Sequence, residues 1–325
     1  MVAIESGEKF GCLAFRLASL SNPLPDSVDL GYGCWALPGP PLPLTDQWRA
    51  WLGEIQSEQI EQANLVLFAK MKARAPAVLD EENRLILART EFMYWGTAIA
   101  AGIPSHEHIV LFSGANDGSG PRVRSVGQPR RMNVGAGMMP SRPTLAHLAE
   151  GCDIMTRLET IREAATHGNY YRRISRGLHA LITGFRADRA EDRVHECVRA
   201  VEAFLPAGAW GAGAFVDHAL DLVRATPDAG QVLLDLYRLR NVTEHHGDLD
   251  RGLPDISAAQ RSKLADRRVR QAEGLARFVY RQLLKVRTGY LDLTRDDESI
   301  ARFWSQDSWV RRASWGEGFD LNAVT

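Results

Sequence analysis

After about residue 150, apolar residues recur at the three- and four-residue spacing of amphipathic helices. Such runs occupy 174–185, 194–205, 215–223, 232–239 and 264–283, and the second is the most regular, with Val194, Cys197, Val198, Val201, Phe204 and Leu205. Because short connections separate the runs, each apolar stripe must be buried against a neighbouring helix. The spacing therefore predicts a bundle of five helices.

Local signals place the starts of two of these helices. Thr226-Pro227-Asp228 combines a capping residue, a proline suited to the first helical position and an acid favoured by the helix dipole. Ser257 and Gln260 have the spacing of a capping box. We therefore expect the fourth helix to begin at Pro227 and the fifth just after Ser257.

The first 150 residues contain both strand patterns and helix patterns. Strands are predicted at 9–17, 30–37, 108–113 and 122–126, the last two joined by the turn signal Asn116-Asp117-Gly118. Helices are predicted from a Thr45 cap to Gly53 and over 79–101, the latter stopped by Gly102 and Pro104. The chain is thus predicted to be mainly α, and α+β overall.

These patterns divide the chain into three parts. A mixed α/β N-terminal domain of unknown role covers 1–150, a helical bundle covers 151–290, and an aromatic-rich tail covers 291–325. The tail contains Trp304, Trp309 and Trp315. Aromatic side chains at this density are expected to dock against the body of the protein.

Composition limits the classes of function. Hydrophobic residues make up 45% and charged residues 24%, with a formal net charge of −1, so whole-chain basicity gives no argument for nucleic acid. Residues 151–290 are mildly basic, with 22 Lys and Arg against 18 Asp and Glu. The four dispersed cysteines predict reduced thiols and a cytoplasmic location, and the absence of any long apolar stretch predicts no membrane span.

The run LYRLRNVTEHHGD, which ends the fourth predicted helix, concentrates the residues suited to chemistry. At about 100° per residue, Asn241 and His245 share a helix face, and Arg238 lies within about 20° of it. Arg240 points about 140° away from His245, into the apolar face, where an arginine needs partners. Either a buried acid pairs with Arg240, or the helix ends near Glu244 and His245 turns aside.

These residue types suit cleavage of RNA. A histidine can move a proton to or from a 2′-hydroxyl or the leaving 5′-oxygen, because it titrates near neutrality. An arginine stabilises the charge that builds on phosphate oxygens, and an asparagine orients either group by hydrogen bonds. No cofactor or metal is needed for this reaction. The alternative reading is that Arg240, Asn241 and His245 only cap and solvate a helix end.

The motif and its context resemble the HEPN superfamily of helical domains. Arg240-Asn241, three further residues and His245 match the family's hallmark, after the phrase Leu236-Tyr237-Arg238-Leu239. The segments 173–182 and 194–205 are similar to the leading helices of the ApeA-like branch, so the resemblance covers roughly residues 170–286. It implies a metal-independent endoribonuclease, acting on RNA in phage defence or as a toxin, and a homodimer whose two motifs line one cleft.

Three alternatives remain open at this point. His246 could replace His245, or Arg238 could replace Arg240, because Arg240 and His246 are separated by five residues and Arg238 and His245 by six. The domain could bind RNA or a protein without cutting. The segment could also be purely structural and stabilise a helical dimer.

Overall fold

The computed structural model describes residues 2–17, 24, 26–103, 109–132, 134, 143–208, 211–245, 249–254 and 256–324. Within these residues the protein is about 55% helical, with ten α-helices and a six-stranded antiparallel sheet, which confirms the predicted α+β class. The chain divides into two compact units. Unit 1 comprises Met1–Arg131 and Ser141–Glu159, and unit 2 comprises Met132–Pro140 and Thr160–Thr325.

The sheet belongs to unit 1. Its strands are β1 (Glu8–Phe15), β2 (Val28–Gly31), β3 (Cys34–Leu37), β4 (Leu65–Lys72), β5 (Ile109–Asn116) and β6 (Pro121–Gly127), in the order β2-β3-β4-β1-β5-β6. The central strand β1 pairs along its whole length with both β4 and β5, and all of its residues are buried. Both faces of the sheet centre are therefore covered.

Three of the predicted strands are confirmed as β1, β5 and β6. The prediction of one strand over 30–37 is wrong, because this segment contains a hairpin between β2 and β3. Tyr32 and Gly33, with φ of 56° and 71°, form its two-residue turn, and only such positive φ values let the two strands twist together. The strand β4 was not predicted.

Unit 1 also contains α1 (Asp46–Glu61), α2 (Glu81–Ala101) and the first part of α3 (Leu145–His167). Thr45 caps α1 as predicted, its Oγ1 accepting from Trp48 N at 3.3 Å. At Gly53, the predicted end, the backbone is non-helical (φ 77°, ψ 171°), and a second helical segment follows it to Glu61. The helix α3 was not predicted, and the boundary expected between 150 and 151 falls inside it.

Unit 2 is helical. It contains the rest of α3 and seven further helices: α4 (Arg172–Arg186), α5 (Ala190–Glu202), α6 (Ala212–Ala219), α7 (Ala229–Glu244), α8 (Ala258–Leu284), α9 (Asp297–Trp304) and α10 (Ser308–Trp315). The five predicted helices correspond to α4–α8. The capping box of α8 is present, with Ser257 N donating to Gln260 Oε1 at 3.3 Å. The helix α7 begins two residues later than predicted, because Thr226 donates to Asp228 instead of capping the backbone.

The aromatic tail docks within unit 2, as predicted for two of its three tryptophans. Trp315 is buried and stacks on Phe204 with a centroid distance of 5.1 Å, and Trp304 Nε1 donates to the Phe204 carbonyl at 2.7 Å. Trp309 is 71% exposed, so its predicted docking is wrong. It lies about 120° around α10 from Trp315 and faces solvent.

The buried carboxylate of Asp221, just after α6, holds α10 in place within unit 2. Asp221 accepts from Ser308 at 2.5 Å, from Arg311 at 2.6 Å and from Arg312 at 2.9 Å. Burial alone would raise the pKa of Asp221, but the hydrogen bonds from Ser308, Arg311 and Arg312 outweigh it and lower this pKa. The charged form of Asp221 thus stabilises the docked tail.

Candidate functional site

The end of α7 carries the predicted motif. Leu233, Leu236 and Leu239 are buried, as the helical spacing predicted, and hold α7 against the rest of unit 2. The helix ends at Glu244, and His245 follows it with φ −95° and ψ 19°, its N–H donating to the Asn241 carbonyl at 3.2 Å. The side chain of His245 therefore leaves the helix at its last turn and is exposed to solvent.

Arg240 is surrounded by partners, and its side chain is only 17% exposed. Its Nη1 donates to Asn241 Oδ1 at 3.0 Å and pairs with Glu244, while Nη2 lies 3.5 Å from Glu202 Oε2. The guanidinium also lies 5.9 Å from the centre of the Tyr237 ring. Both sequence-based alternatives thus hold, because Arg240 pairs with acids and the helix also ends at Glu244.

Glu202, at the end of α5, is the functional candidate that sequence reasoning missed. Burial raises the pKa of its carboxyl, and the nearby positive charge of Arg240 opposes this increase. No local sequence pattern identifies Glu202 as a site residue, because its contact with Arg240 depends on how α5 packs against α7. A carboxyl with a raised pKa beside an arginine is a typical constituent of a functional site, although structural ion pairs share the property.

A groove in unit 2 extends from Glu202. It has a volume of about 270 Å³ and is lined on the α4 and α5 sides by Arg173, Arg176, Arg199 and Glu202. We call it the basic groove. Arg173 Nη2 donates to the Glu202 carbonyl at 3.3 Å, while Arg176 and Arg199 are exposed. Two of these arginines have carboxylate partners, since Arg199 Nη1 lies 3.2 Å from Glu196 and Arg173 Nη1 lies 3.6 Å from Asp297. Arg176 pairs with no carboxylate among the described residues, so its positive charge suits a phosphate group.

The structure brings together only part of the predicted set. Arg240 and Asn241 are hydrogen-bonded, and Arg238 is exposed on the outer face of α7. Between the described atoms of His245 and Arg240 there is no hydrogen bond. His246, the alternative histidine, lies outside the described residues.

Other kinds of site have less support. The described residues contain no group of three or more His, Cys, Asp or Glu side chains placed to hold a metal ion. All four cysteines are free thiols and buried. No helix in the described part of the chain is long and apolar enough to cross a membrane.

Comparisons with models of protein families, with curated proteins and with solved structures gave no match. The resemblance to HEPN domains therefore rests on Arg240, Asn241 and His245 and on the helical sequence around them. The geometry at the end of α7 supplies separate grounds for a proposal about function.

Proposed function

We propose that the protein is a metal-independent endoribonuclease of HEPN type, with the end of α7 as its centre. In this proposal His245 removes the proton from a 2′-hydroxyl, whose oxygen then attacks the adjacent phosphorus. The bond from phosphorus to the 5′-oxygen breaks, that oxygen takes up a proton from water, and the protonated His245 returns its proton to the solvent. Arg240 stabilises the charge on the phosphate oxygens, and Asn241 holds the guanidinium in place. The products are a 2′,3′-cyclic phosphate and a 5′-hydroxyl.

The observation that carries the proposal is the double role of Glu202. This residue lines the basic groove and also pairs with Arg240, so the groove and the motif are parts of one surface. An RNA strand with a phosphate bound by Arg176 in the basic groove would thus extend towards the end of α7. An exposed His245 at that helix end can reach solvent and substrate without any rearrangement of the core.

The pairing of Arg240 with two carboxylates favours a second candidate, a HEPN-like module that binds RNA without cutting it. A guanidinium already paired with Glu202 and Glu244 has little positive charge left for a phosphate. Catalysis requires that one of these carboxylates moves away or becomes protonated. Binding through Arg176, which pairs with no carboxylate among the described residues, needs no such change.

Two further parts of the proposal follow from the resemblance alone. We propose that two copies associate through the helical unit, so that two motifs line one cleft. We also propose that the biological setting is phage defence or a toxin-like activity in the cytoplasm. Sedimentation of the purified protein tests the first part directly.

The deciding experiment compares RNA cleavage by wild type, His245→Ala and His167→Ala. His167 is a suitable control, because it too is exposed at the end of a helix, α3. With total RNA and tRNA in the presence of EDTA, we expect cleavage by wild type and His167→Ala but at least a hundredfold less by His245→Ala, as for loss of a general acid or base. The products should end in 2′,3′-cyclic phosphate.

Two other outcomes have clear meanings. Full cleavage by a folded His245→Ala protein would refute the assigned role of this histidine. If wild type binds RNA but does not cut it, and Arg176→Ala weakens the binding, the non-catalytic module is the better description.

A further inference from the structure

A second groove, in unit 1, has a lining that differs from that of the basic groove. It has a volume of about 790 Å³, within the usual range for small-molecule sites. It lies between α1 and the strand β6 and is lined by Leu42, Pro43, Thr45, Gln47, Trp48, Trp51, Pro121, Arg122, Val123 and Arg124. We call it the Trp51 groove. Neither the Arg240 motif nor the proposed nuclease activity uses it.

One wall offers an open aromatic surface. Trp51 is 70% exposed, although a tryptophan normally buries most of its large apolar area. It meets Trp48 edge to face, with a centroid distance of 5.3 Å and an interplanar angle of 88°. Trp48 Nε1 in turn donates to the Val123 carbonyl at 3.1 Å. Trp48 is thus fixed to the sheet and supports Trp51, most of which remains free for contact.

The opposite wall provides positive charge. Arg122 is exposed on β6, and no carboxylate among the described residues pairs with it. Arg124 is the extra residue of a bulge, because Gly114 pairs with Val123 and Ser113 with Ser125. Unlike Arg122, it is neutralised by Asp117 at 2.6 Å. The unbalanced charge of the groove is therefore that of Arg122.

We propose that the Trp51 groove binds a nucleotide, with the base stacked on Trp51 and the phosphate on Arg122. A planar ring is the partner that an open indole face favours, and a phosphate is the anion that a free guanidinium favours. The exposed amide of Gln47, in the same lining, can donate to and accept from a base edge. The nucleotide is either free or one unit of a single-stranded nucleic acid.

Binding to the whole 325-residue chain tests the proposal. The probes are adenosine 5′-monophosphate, measured by calorimetry, and a fluorescein-labelled single-stranded RNA octamer, measured by fluorescence anisotropy. The octamer is 2′-O-methylated, so that the nuclease activity proposed for His245 cannot degrade it. We expect Trp51→Ala and Arg122→Ala each to raise the Kd at least fivefold, roughly the lower limit for loss of one stacked base. The substitution of Arg122 should also make binding less dependent on salt.

Matched controls make the result specific. Trp309→Ala removes an equally exposed tryptophan from the tail, and Arg84→Ala removes an exposed arginine from α2 of unit 1; neither should change the Kd. Because Trp51 and Arg122 are exposed, their variants should fold as wild type does, which circular dichroism checks. The decisive readout is binding of adenosine 5′-monophosphate that Trp51→Ala weakens, and no RNA is cleaved in that assay, so this proposal can fail or hold separately from the nuclease proposal.

The two probes distinguish the two sources of the nucleotide. Binding of the monophosphate that depends on Trp51 supports a free nucleotide as ligand, whereas such binding of the octamer alone supports a single strand. If neither probe binds, or if both bind equally well to Trp51→Ala, the proposal is wrong.

Discussion

A buried ion pair between α7 and α8 gives the most demanding test of the structure of unit 2. Asp235 accepts from Arg268 Nε at 3.0 Å and from Nη2 at 2.9 Å, and Gln231 donates to its other oxygen at 2.7 Å. Arg268 also donates to Gln271 at 2.7 Å. The Arg268 side chain is only 10% exposed and the Asp235 side chain only 2%. We predict that Asp235→Ala strongly destabilises unit 2.

The expected magnitude follows from this burial. Removal of Asp235 leaves the Arg268 guanidinium away from water with only Gln271 as a partner, and removal of one member of a buried pair costs about 3–5 kcal/mol. An increase of about 1.4 kcal/mol in the free energy is tenfold in an equilibrium constant. The fraction of molecules in which unit 2 is unfolded should therefore rise by a factor of about one hundred or more.

Hydrogen exchange read by mass spectrometry is the appropriate assay, because it reports each helix separately. Peptides from α7 and α8 should exchange at least a hundredfold faster in Asp235→Ala than in wild type. Peptides from α2 report unit 1 in the same sample. Asp217→Ala, which removes an exposed acid from α6, serves as the control and should change stability by less than about 0.5 kcal/mol.

A double variant tests the physical reasoning itself. Replacement of both partners, Asp235→Leu with Arg268→Met, removes the buried charges together and should restore much of the stability lost in Asp235→Ala. An increase in exchange of less than tenfold in Asp235→Ala would refute the description of Arg268 as a buried charge that depends on this carboxylate.

Two further predictions concern the docked tail and a close helix contact. Asp221→Asn should lower the stability of unit 2 by about 2 kcal/mol at pH 7, because it weakens hydrogen bonds between charged groups. The hydrogen bonds lower the pKa of Asp221 despite its burial. The extra stability of wild type over Asp221→Asn should therefore be full above about pH 4 and decrease as the pH falls further. If thermal unfolding shows that this difference in stability does not change with pH, the prediction is contradicted. Gly96→Ala should lower the free energy of unfolding, measured in urea, by about 1–3 kcal/mol, because a Cβ there would lie 2.1 Å from the Gly151 carbonyl oxygen. Gly213→Ala is the control and should leave the stability unchanged, because a Cβ there would have no atom within 4 Å.

Helices were more predictable than strands because helical spacing is visible over many residues. The stripes of α4–α8 extend for several turns, and the caps at Thr45 and Ser257 are local. The hairpin of β2 and β3 was hidden because Tyr32 occupies a turn position where glycine, asparagine or aspartate is the usual signal. The strand β4 begins with the apolar run LVLF and is buried there on both faces, so it shows no alternation to recognise.

The candidate site was predictable only as far as one helix extends. Spacing alone placed Arg240 towards the core and left two alternatives, an acid that pairs with it or a helix end near Glu244. The structure supplies the acids as Glu244, four residues later, and Glu202 from another helix. Glu202 could not be identified from the sequence, because only the packing of α5 against α7 brings it to Arg240. The exposure of His245 likewise depends on where α7 ends.

Under the proposed function, the pairing of Arg240 with Glu202 becomes a condition for activity. Burial already raises the pKa of Glu202, so less free energy is needed to protonate this carboxyl than to protonate an exposed one. In this proposal, a phosphate bound by Arg176 adds negative charge beside Glu202 and so further favours its protonated form. Protonation of Glu202 would then release one side of the Arg240 guanidinium for the substrate. The negative charge of the substrate phosphate, which Arg240 stabilises, would therefore also help to release Arg240 from Glu202. In a Glu202→Gln protein this side chain is already neutral, so that protein should bind RNA more tightly than wild type.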